Sequence, residues 1–336
     1  MTREIELPDA PTIPGLRFRH LNAPDDYAAM HRIISDSAAA DDFQYGETVE
    51  DVARHYSHLA NCDPLEDVLI AEIAGKAIGY SRVWFIRKTD VPGYLFQFFA
   101  NLTPEWRGRG IREAMLGWCE SRMCGISRSL PRYSTKEVVM WVGEAETEWR
   151  AIIEENGYKV VRYGFTMLRK NLDDLPDCPV PEGILVRPVL PKHYRQIWDA
   201  DILASRDAWL SLEAEEEWYQ SWLSSRLFQP AIWQVAWDSD RVAGAVQNWI
   251  DPEENRKYSL KRGWTENIHV GREWRGRGLA KALIARSLKC LKEHGMEEAA
   301  LGVDAMNPTG ALHLYKKMGF EEYKKSYTYA KSLDDA

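Results

Sequence analysis

The sequence predicts an α/β protein made of two copies of one domain joined end to end. Three observations carry that expectation. The hexapeptide Glu-Trp-Arg-Gly-Arg-Gly occurs at Glu105–Gly110 and again at Glu273–Gly278, 168 residues later in a chain of 336. Strand-like and helix-like patterns follow one another in the same order around each copy. Between the copies, Asn171–Gly183 is rich in proline and acid and reads as a linker. The expected boundaries are a first domain over 1–172, a linker over 173–182 and a second domain over 183–336, each near the usual domain size.

Taken in order, each half opens on a strand, Gly15–Leu21 in the first and Gly183–Val189 in the second. An amphipathic helix follows, marked by Tyr27, Met30, Ile33 and Ile34, and then by Tyr194, Ile197 and Trp198. A hairpin comes next, turning at Ala74-Gly75-Lys76 and at Asp238-Ser239-Asp240. A further strand (Glu266–Val270 in the second half) reaches the repeated hexapeptide, which opens a helix. In the second half Leu279, Leu283, Ile284, Leu288 and Leu291 share one face and Gly295 is placed to end it. In the first half Ile111, Met115, Leu116 and Cys119 share a face and Gly125 is the expected stop. A strand (Glu137–Val142; Ala299–Val303), a short helix ending in Gly157-Tyr158 or Gly319-Phe320, and a final strand complete each copy.

Composition narrows the function classes. Hydrophobic residues at 45% and charged residues at 28% are globular values. A net charge of −8 argues against a general nucleic-acid binder, and two Arg-Gly-Arg-Gly tetrapeptides without interleaved stacking aromatics do not reverse that. The five cysteines form neither a CxxC pair nor a zinc spacing, so no metal site is expected and a reducing cytoplasm suits them. No apolar run of membrane-spanning length and no leader-like segment is present, so no membrane partner is expected.

The loop Arg275-Gly276-Arg277-Gly278-Leu279-Ala280 stands between a strand and a helix. Such a turn aims free backbone N–H groups and the positive end of a helix dipole at one spot, and its glycines let an anion approach closely. Arg272, Arg275, Arg277 and Lys281 surround it against one acid, Glu273. A solvated, arginine-bearing helix start is the other reading. The absence of GK[ST] argues against a P-loop, and the missing GxGxxG spacing argues against a dinucleotide fold.

These residues resemble the R/Q-x-x-G-x-G/A loop of the GNAT superfamily of N-acetyltransferases. Asn307 to Phe320 is similar to that family's N-x-x-A-x-x-x-Y-x-x-x-G-F segment. The layout is similar to double-GNAT proteins of the mycothiol-synthase type. The resemblance implies two tandem domains, each a mixed, mostly antiparallel central sheet flanked by helices. It implies acetyl-CoA as co-substrate, with its pyrophosphate held by Arg275, Gly276, Arg277, Gly278, Leu279 and Ala280 and with Asn307 in the binding segment. The strand before the loop is expected to part from its neighbour, so that backbone groups of Ile268, His269 and Val270 hold the pantetheine arm and thioester oxygen. One well-aimed N–H there is worth on the order of 3 kcal/mol in the transition state.

Tyr315 matches the family's general acid, placed to protonate the leaving thiolate; packing of an amphipathic helix is its other reading. Glu266 is the candidate base for the acceptor ammonium, and an edge-strand carboxylate facing solvent is the competing reading. His269 is a tempting base, but strand alternation sets it opposite Ile268 and Val270, and it reads as structural. In the first half Ile153 and Ala145 stand where Tyr315 and Asn307 stand, and Arg112 replaces Ala280. That copy is therefore expected to be degenerate.

The function expected is acetyl transfer to a primary amine of a small molecule or peptide, by a monomer or homodimer. A CoA-thioester sensor without turnover is the alternative. Acceptor pocket lining is expected from Trp198–Trp222, with Trp209, Trp218 and Trp222 as an apolar wall or a core. The acidic run Glu213–Glu217 reads as a substrate gate or a solvated helix face, and Asp304 is unassigned.

Overall fold

Two-residue turns tie the first hairpin of each repeat. In the computed structural model, which describes residues 4–131, 135–207 and 209–333, strands β3 (Val68–Ile73) and β4 (Lys76–Arg87) meet at Ala74 and Gly75, both with positive φ. That geometry matches the strand twist and suits a tight hairpin. The chain divides into two compact units. Unit 1 comprises Met1–Val161, Glu215–Ser221 and Tyr327–Ala336, and unit 2 comprises Arg162–Ala214 and Trp222–Ser326. Residues 1–3 and 334–336, which the sequence reading assigned to the two domains, and Ala208 in its pocket segment lie outside the described residues.

In unit 1, β1 (Glu4–Ile5), β2 (Leu16–His20), β3, β4, β5 (Gly93–Leu102) and β6 (Thr135–Gly143) lie side by side in that order. All neighbours are antiparallel except β5 and β6, which run parallel. Helices α1 (Tyr27–Ala40) and α2 (Val49–Ser57) cover one face through Met30, Ile33 and Val52. Helices α3 (Ile111–Ser129) and α4 (Thr147–Glu155) cover the other through Ile111, Met115, Leu116, Cys119, Trp149 and Ile153. Helix α3 does not stop at Gly125 as expected. Met123 is fully buried and Ile126 packs on the same core, which offsets the roughly 1 kcal/mol that a mid-helix glycine costs.

In unit 2 the order is β7 (Lys159–Arg169, from Arg162 onward), β12 (Glu298–Asp304), β11 (Arg262–Val270), β10 (Arg241–Trp249), β9 (Gln234–Asp238) and β8 (Leu185–Val186). Here β11 and β12 are the parallel pair. Helix α8 (Leu279–Glu293) buries Leu279, Leu283, Ile284, Leu288 and Leu291, each stabilising by about 1.5–3 kcal/mol at most. Helix α5 (Tyr194–Ser205) covers the opposite face with Ile197, and α7 (Pro252–Tyr258) and α9 (Ala311–Lys317) also lie in unit 2, while α6 (Glu216–Ser224) and β13 (Glu321–Ser332) are each divided between the two units.

The expected boundaries at 172 and 183 are not where the compact units divide. Residues 164–169 of β7 hydrogen-bond along β12, from Gly164↔Asp304 to Arg169↔Ala299, and so lie in unit 2. Tyr329 near the chain end is fully buried in the core of unit 1, where Arg150 donates to its hydroxyl at 3.1 Å. Each repeat's last strand is thus counted with the other repeat's core.

Candidate active site

The unit 2 hexapeptide ends in a pair of left-handed glycines, Gly276 (φ 73°) and Gly278 (φ 87°), and the latter is the residue before α8. A Cβ built at either meets nothing within 4 Å, and no side chain caps the helix. The first N–H groups of a 15-residue helix therefore face an open, glycine-lined bend. Around it Arg275 donates its Nε to the Val270 carbonyl at 2.9 Å and pairs through Nη1 with Asp207 at 2.6 Å. Asp207 also pairs with Arg272, and the two guanidiniums hold its carboxyl well below the usual range. Arg277 donates to the Glu182 carbonyl.

Next to the bend, β11 and β12 share only a short register, from Arg262↔Glu298 to Trp264↔Ala300. Both strands run on, to Val270 and Asp304. A bulge helps to open β11: Asn267 takes φ 47°, and the β10–β11 register shifts between Ala245↔His269 and Gln247↔Glu266. Bulges of this kind re-aim side chains next to active sites. Glu266 reaches across the gap and its Oε1 accepts the Gly302 N–H at 2.9 Å. Burial pushes its carboxyl up to about 7, with the Gly302 hydrogen bond pulling the other way. A carboxyl so placed holds and releases a proton near neutrality.

Tyr315, on α9, is 6% exposed and stands edge-on to Phe320. Burial first, and then the charge of Glu266, push its phenol up, so it is a proton donor at neutral pH. Ile268 and Val270 pack on the α8 side of the sheet, while His269 points the other way. Its Nδ1 lies 3.1 Å from the Asp201 carboxylate on α5 and its Nε2 is buried with no partner among the described residues. The Asn307 side-chain Oδ1 accepts from the Thr309 N–H and hydroxyl, shaping the turn into α9. Leu279 is buried and Ala280 half-buried at the helix start.

Unit 1 repeats the backbone and fills it. Gly108 and Gly110 keep positive φ, but the Gly108 N–H donates to Glu148 Oε1 at 2.8 Å. Arg112, 3% exposed, donates to the Ala100 carbonyl, pairs with Glu148 at 3.2 Å and lies over the Trp149 ring. Counting from Gly79↔Leu102 and Gly244↔Val270, the residue pair matching Gln247↔Glu266 is Arg82↔Phe99. A carboxylate of the chain itself sits in the bend, and phenylalanine replaces Glu266.

A glycine bend at a helix start, parted parallel strands, a buried carboxyl and a phenol in the following helix occur together in unit 2. Residues 194–320 match the family described as the acetyltransferase (GNAT) family. The second repeat thus matches the GNAT acetyltransferase family. It is 29% identical over 185 residues to a mycothiol acetyltransferase of Pseudarthrobacter chlorophenolicus, covering 52% of this chain and only 54%, about half, of that relative. A mycothiol acetyltransferase of Salinispora tropica is 24% identical over 329 residues, covering 93% of this chain and 95% of the relative. A GCN5-related N-acetyltransferase structure from Sphaerobacter thermophilus aligns with TM-score 0.72 at 24% identity, over 96% of this chain and 97% of that one, which shows the fold.

Around this GNAT-like site the remaining expected residues separate. Trp222 joins a packed cluster with Trp198, Phe228 and Trp233 and donates to Gln247 Oε1 at 3.0 Å. Trp209 is 38% exposed beside Arg162, and Trp218 belongs to unit 1. Glu215 of the acidic run accepts from Asn61 within unit 1. Asp304 is held by the Arg162 guanidinium at 2.7 and 2.9 Å and accepts the Met306 N–H. Sequence reading missed Asp201, Asp207, Gln247 and Gly302. One signal did exist for Asp207: Asp41, just past α1, pairs with Arg107 as Asp207, just past α5, pairs with Arg275.

Proposed function

We propose that unit 2 transfers an acetyl group from acetyl-CoA to a primary amine of a small molecule or peptide, by direct attack in a ternary complex. The observation that carries this reading is the contrast between repeats: the bend is open in unit 2 and blocked by Glu148 in unit 1. The diphosphate lies on the bend from Arg275 to Ala280, with Asn307 bordering it. The thioester lies in the gap beside Ile268, His269 and Val270. Glu266, through a water, takes a proton from the acceptor ammonium and leaves a nitrogen lone pair. That lone pair attacks the carbonyl carbon, and backbone N–H groups of the parted strand stabilise the tetrahedral oxyanion. The oxyanion collapses, the carbon–sulfur bond breaks, Tyr315 gives its proton to the departing thiolate, and the cationic nitrogen sheds its second proton to water, from which the Tyr315 phenolate is restored. No metal enters the reaction.

The reading extends to the rest of the chain. The repeat over 1–172 is the degenerate one and that over 183–336 the catalytic one. A cytoplasmic location is supported by five free cysteines. No helix among the described residues is long and apolar enough to cross a membrane. Relatives named for mycothiol put mycothiol-related amines first in an acceptor panel. The test is thiol release from acetyl-CoA across that panel. Turnover with an amine supports the reading. Tight acetyl-CoA binding with no turnover on any amine replaces it with the sensor reading.

A further inference from the structure

Unit 1 places a cation where unit 2 places an amide. Arg82 occupies the register position of Gln247, on the face covered by α1 and α2. Its guanidinium lies over three rings, Trp84 at 4.7 Å, Phe99 at 5.3 Å and Tyr56 at 5.4 Å. Tyr27 stands against Tyr56 with centroids 5.7 Å apart. Stacking on aromatic faces satisfies the flat sides of a guanidinium but none of its N–H groups.

The hydrogen-bond accounting is incomplete. Arg82 forms no ion pair among the described residues, and its Nε is buried without a partner, as is the Tyr56 hydroxyl. Buried donors left unpaired are rare in folded proteins and mark a missing partner. The nearest candidate, the Tyr56 hydroxyl, is a neutral phenol and leaves the guanidinium charge without an anion. Burial pushes the Tyr56 phenol up to about 12 and the Cys62 thiol up to about 12, in both cases against the pull of Arg82, so both are neutral at physiological pH. The Asp67 carboxylate is held by Arg122 at 2.6 Å. Arg82, Tyr56, Trp84, Phe99 and Tyr27 are all partly exposed, whereas Val68, Ile70 and Tyr80 on the same face are buried. The cluster is therefore open to a ligand.

We propose that this cluster in unit 1 binds a small carboxylate carried on a flat aromatic or apolar body. One guanidinium and one phenol hydroxyl complement a monoanion; a phosphate dianion draws on more than one cation. The rings of Trp84, Phe99 and Tyr56 supply apolar contact for the attached body. The site is independent of the chemistry in unit 2.

The probes are benzoate and phenylacetate, with benzamide and inorganic phosphate as controls, titrated onto the full chain by calorimetry and by the difference in tryptophan fluorescence between the wild type and Trp84→Phe. Benzoate binds and benzamide and phosphate bind at least about tenfold more weakly. Arg82→Gln, which copies the residue unit 2 carries, weakens benzoate at least about tenfold, and Tyr56→Phe weakens it a few-fold while keeping the ring. Failure of both carboxylates to bind at millimolar concentration overturns the proposal. So does benzamide binding as well as benzoate, a result that holds even where Arg82→Gln fails to fold. So does a folded Arg82→Gln that binds benzoate unchanged.

Discussion

The Glu148 carboxylate accepts the Gly108 N–H at 2.8 Å while its other oxygen faces Arg112 at 3.2 Å. That carboxylate stands where an anion meets the repeated bend, and its departure would leave the buried Arg112 with only the longer contact to Glu146 at 3.8 Å. The first repeat is expected to hold no coenzyme. Isothermal calorimetry with acetyl-CoA should give one site per chain. Two sites of comparable affinity would show that Glu148 yields to a diphosphate.

Glu266 predicts a pH profile with a fixed sign. Its carboxyl sits at about 7 instead of the usual 4.5. As the base it must be ionised, so kcat/KM should rise with pH through about 7, and Glu266→Gln should remove that limb. Linkage adds a stability test. A folded-state value raised above the unfolded one favours the protonated fold, so this stability is present below the unfolded value and lost as pH rises through about 7. The variant should therefore gain on the wild type at pH 8 relative to pH 5, by at most about 3 kcal/mol. A thermal shift of opposite sign would mean that Glu266 is ionised in the resting fold.

Tyr315 can be separated from packing because its ring and its hydroxyl do different jobs. Phenylalanine preserves the edge contact with Phe320 and the burial. Tyr315→Phe should lower kcat at least about tenfold and leave the acetyl-CoA Kd nearly unchanged. Equal turnover would assign the phenol to the core.

How much of this was legible depends on the range of the interaction. The bend, the helix behind it and the two hairpins are written in contiguous residues: glycines at positive φ, periodic leucines, and Ala74-Gly75. Glu266 was offered as a base from its place on the strand leading to the bend, and Tyr315 as an acid from the resemblance of Asn307–Phe320 to the family segment. Asp201 and Asp207 were not, because each meets its partner from more than sixty residues away, at His269 and at Arg272 and Arg275. The bulge at Asn267 carried no glycine to announce it. The strand exchange was hidden for a related reason, since β7 reads as the natural end of its own repeat and nothing local says it pairs with β12.

That exchange predicts the behaviour of fragments. A chain cut at the linker, residues 183–336, loses residues 162–169, which hydrogen-bond along β12 from Asp304 to Ala299. The bare edge of β12 carries buried Leu301 and Val303 and is a template for association. The 183–336 fragment should be insoluble or oligomeric in sedimentation, and restoring residues 159–182 should improve its recovery. A monomeric, fully active 183–336 fragment would show that β7 is dispensable.

Asp207 makes the last prediction, because it places a carboxylate against the arginines that flank the open bend. Its oxygens pair with Arg275 at 2.6 Å and with Arg272. A diphosphate arriving at the bend meets that negative charge and competes for the same guanidiniums, so the pair opposes binding even though it orders the arginines. Asp207→Asn keeps the shape and removes the charge. The acetyl-CoA Kd should fall about three- to tenfold at low ionic strength, and the gain should shrink as salt is raised, since the effect is electrostatic and the arginines are substantially exposed. A weaker Kd, unchanged by salt, would mean that ordering Arg275 matters more than freeing it.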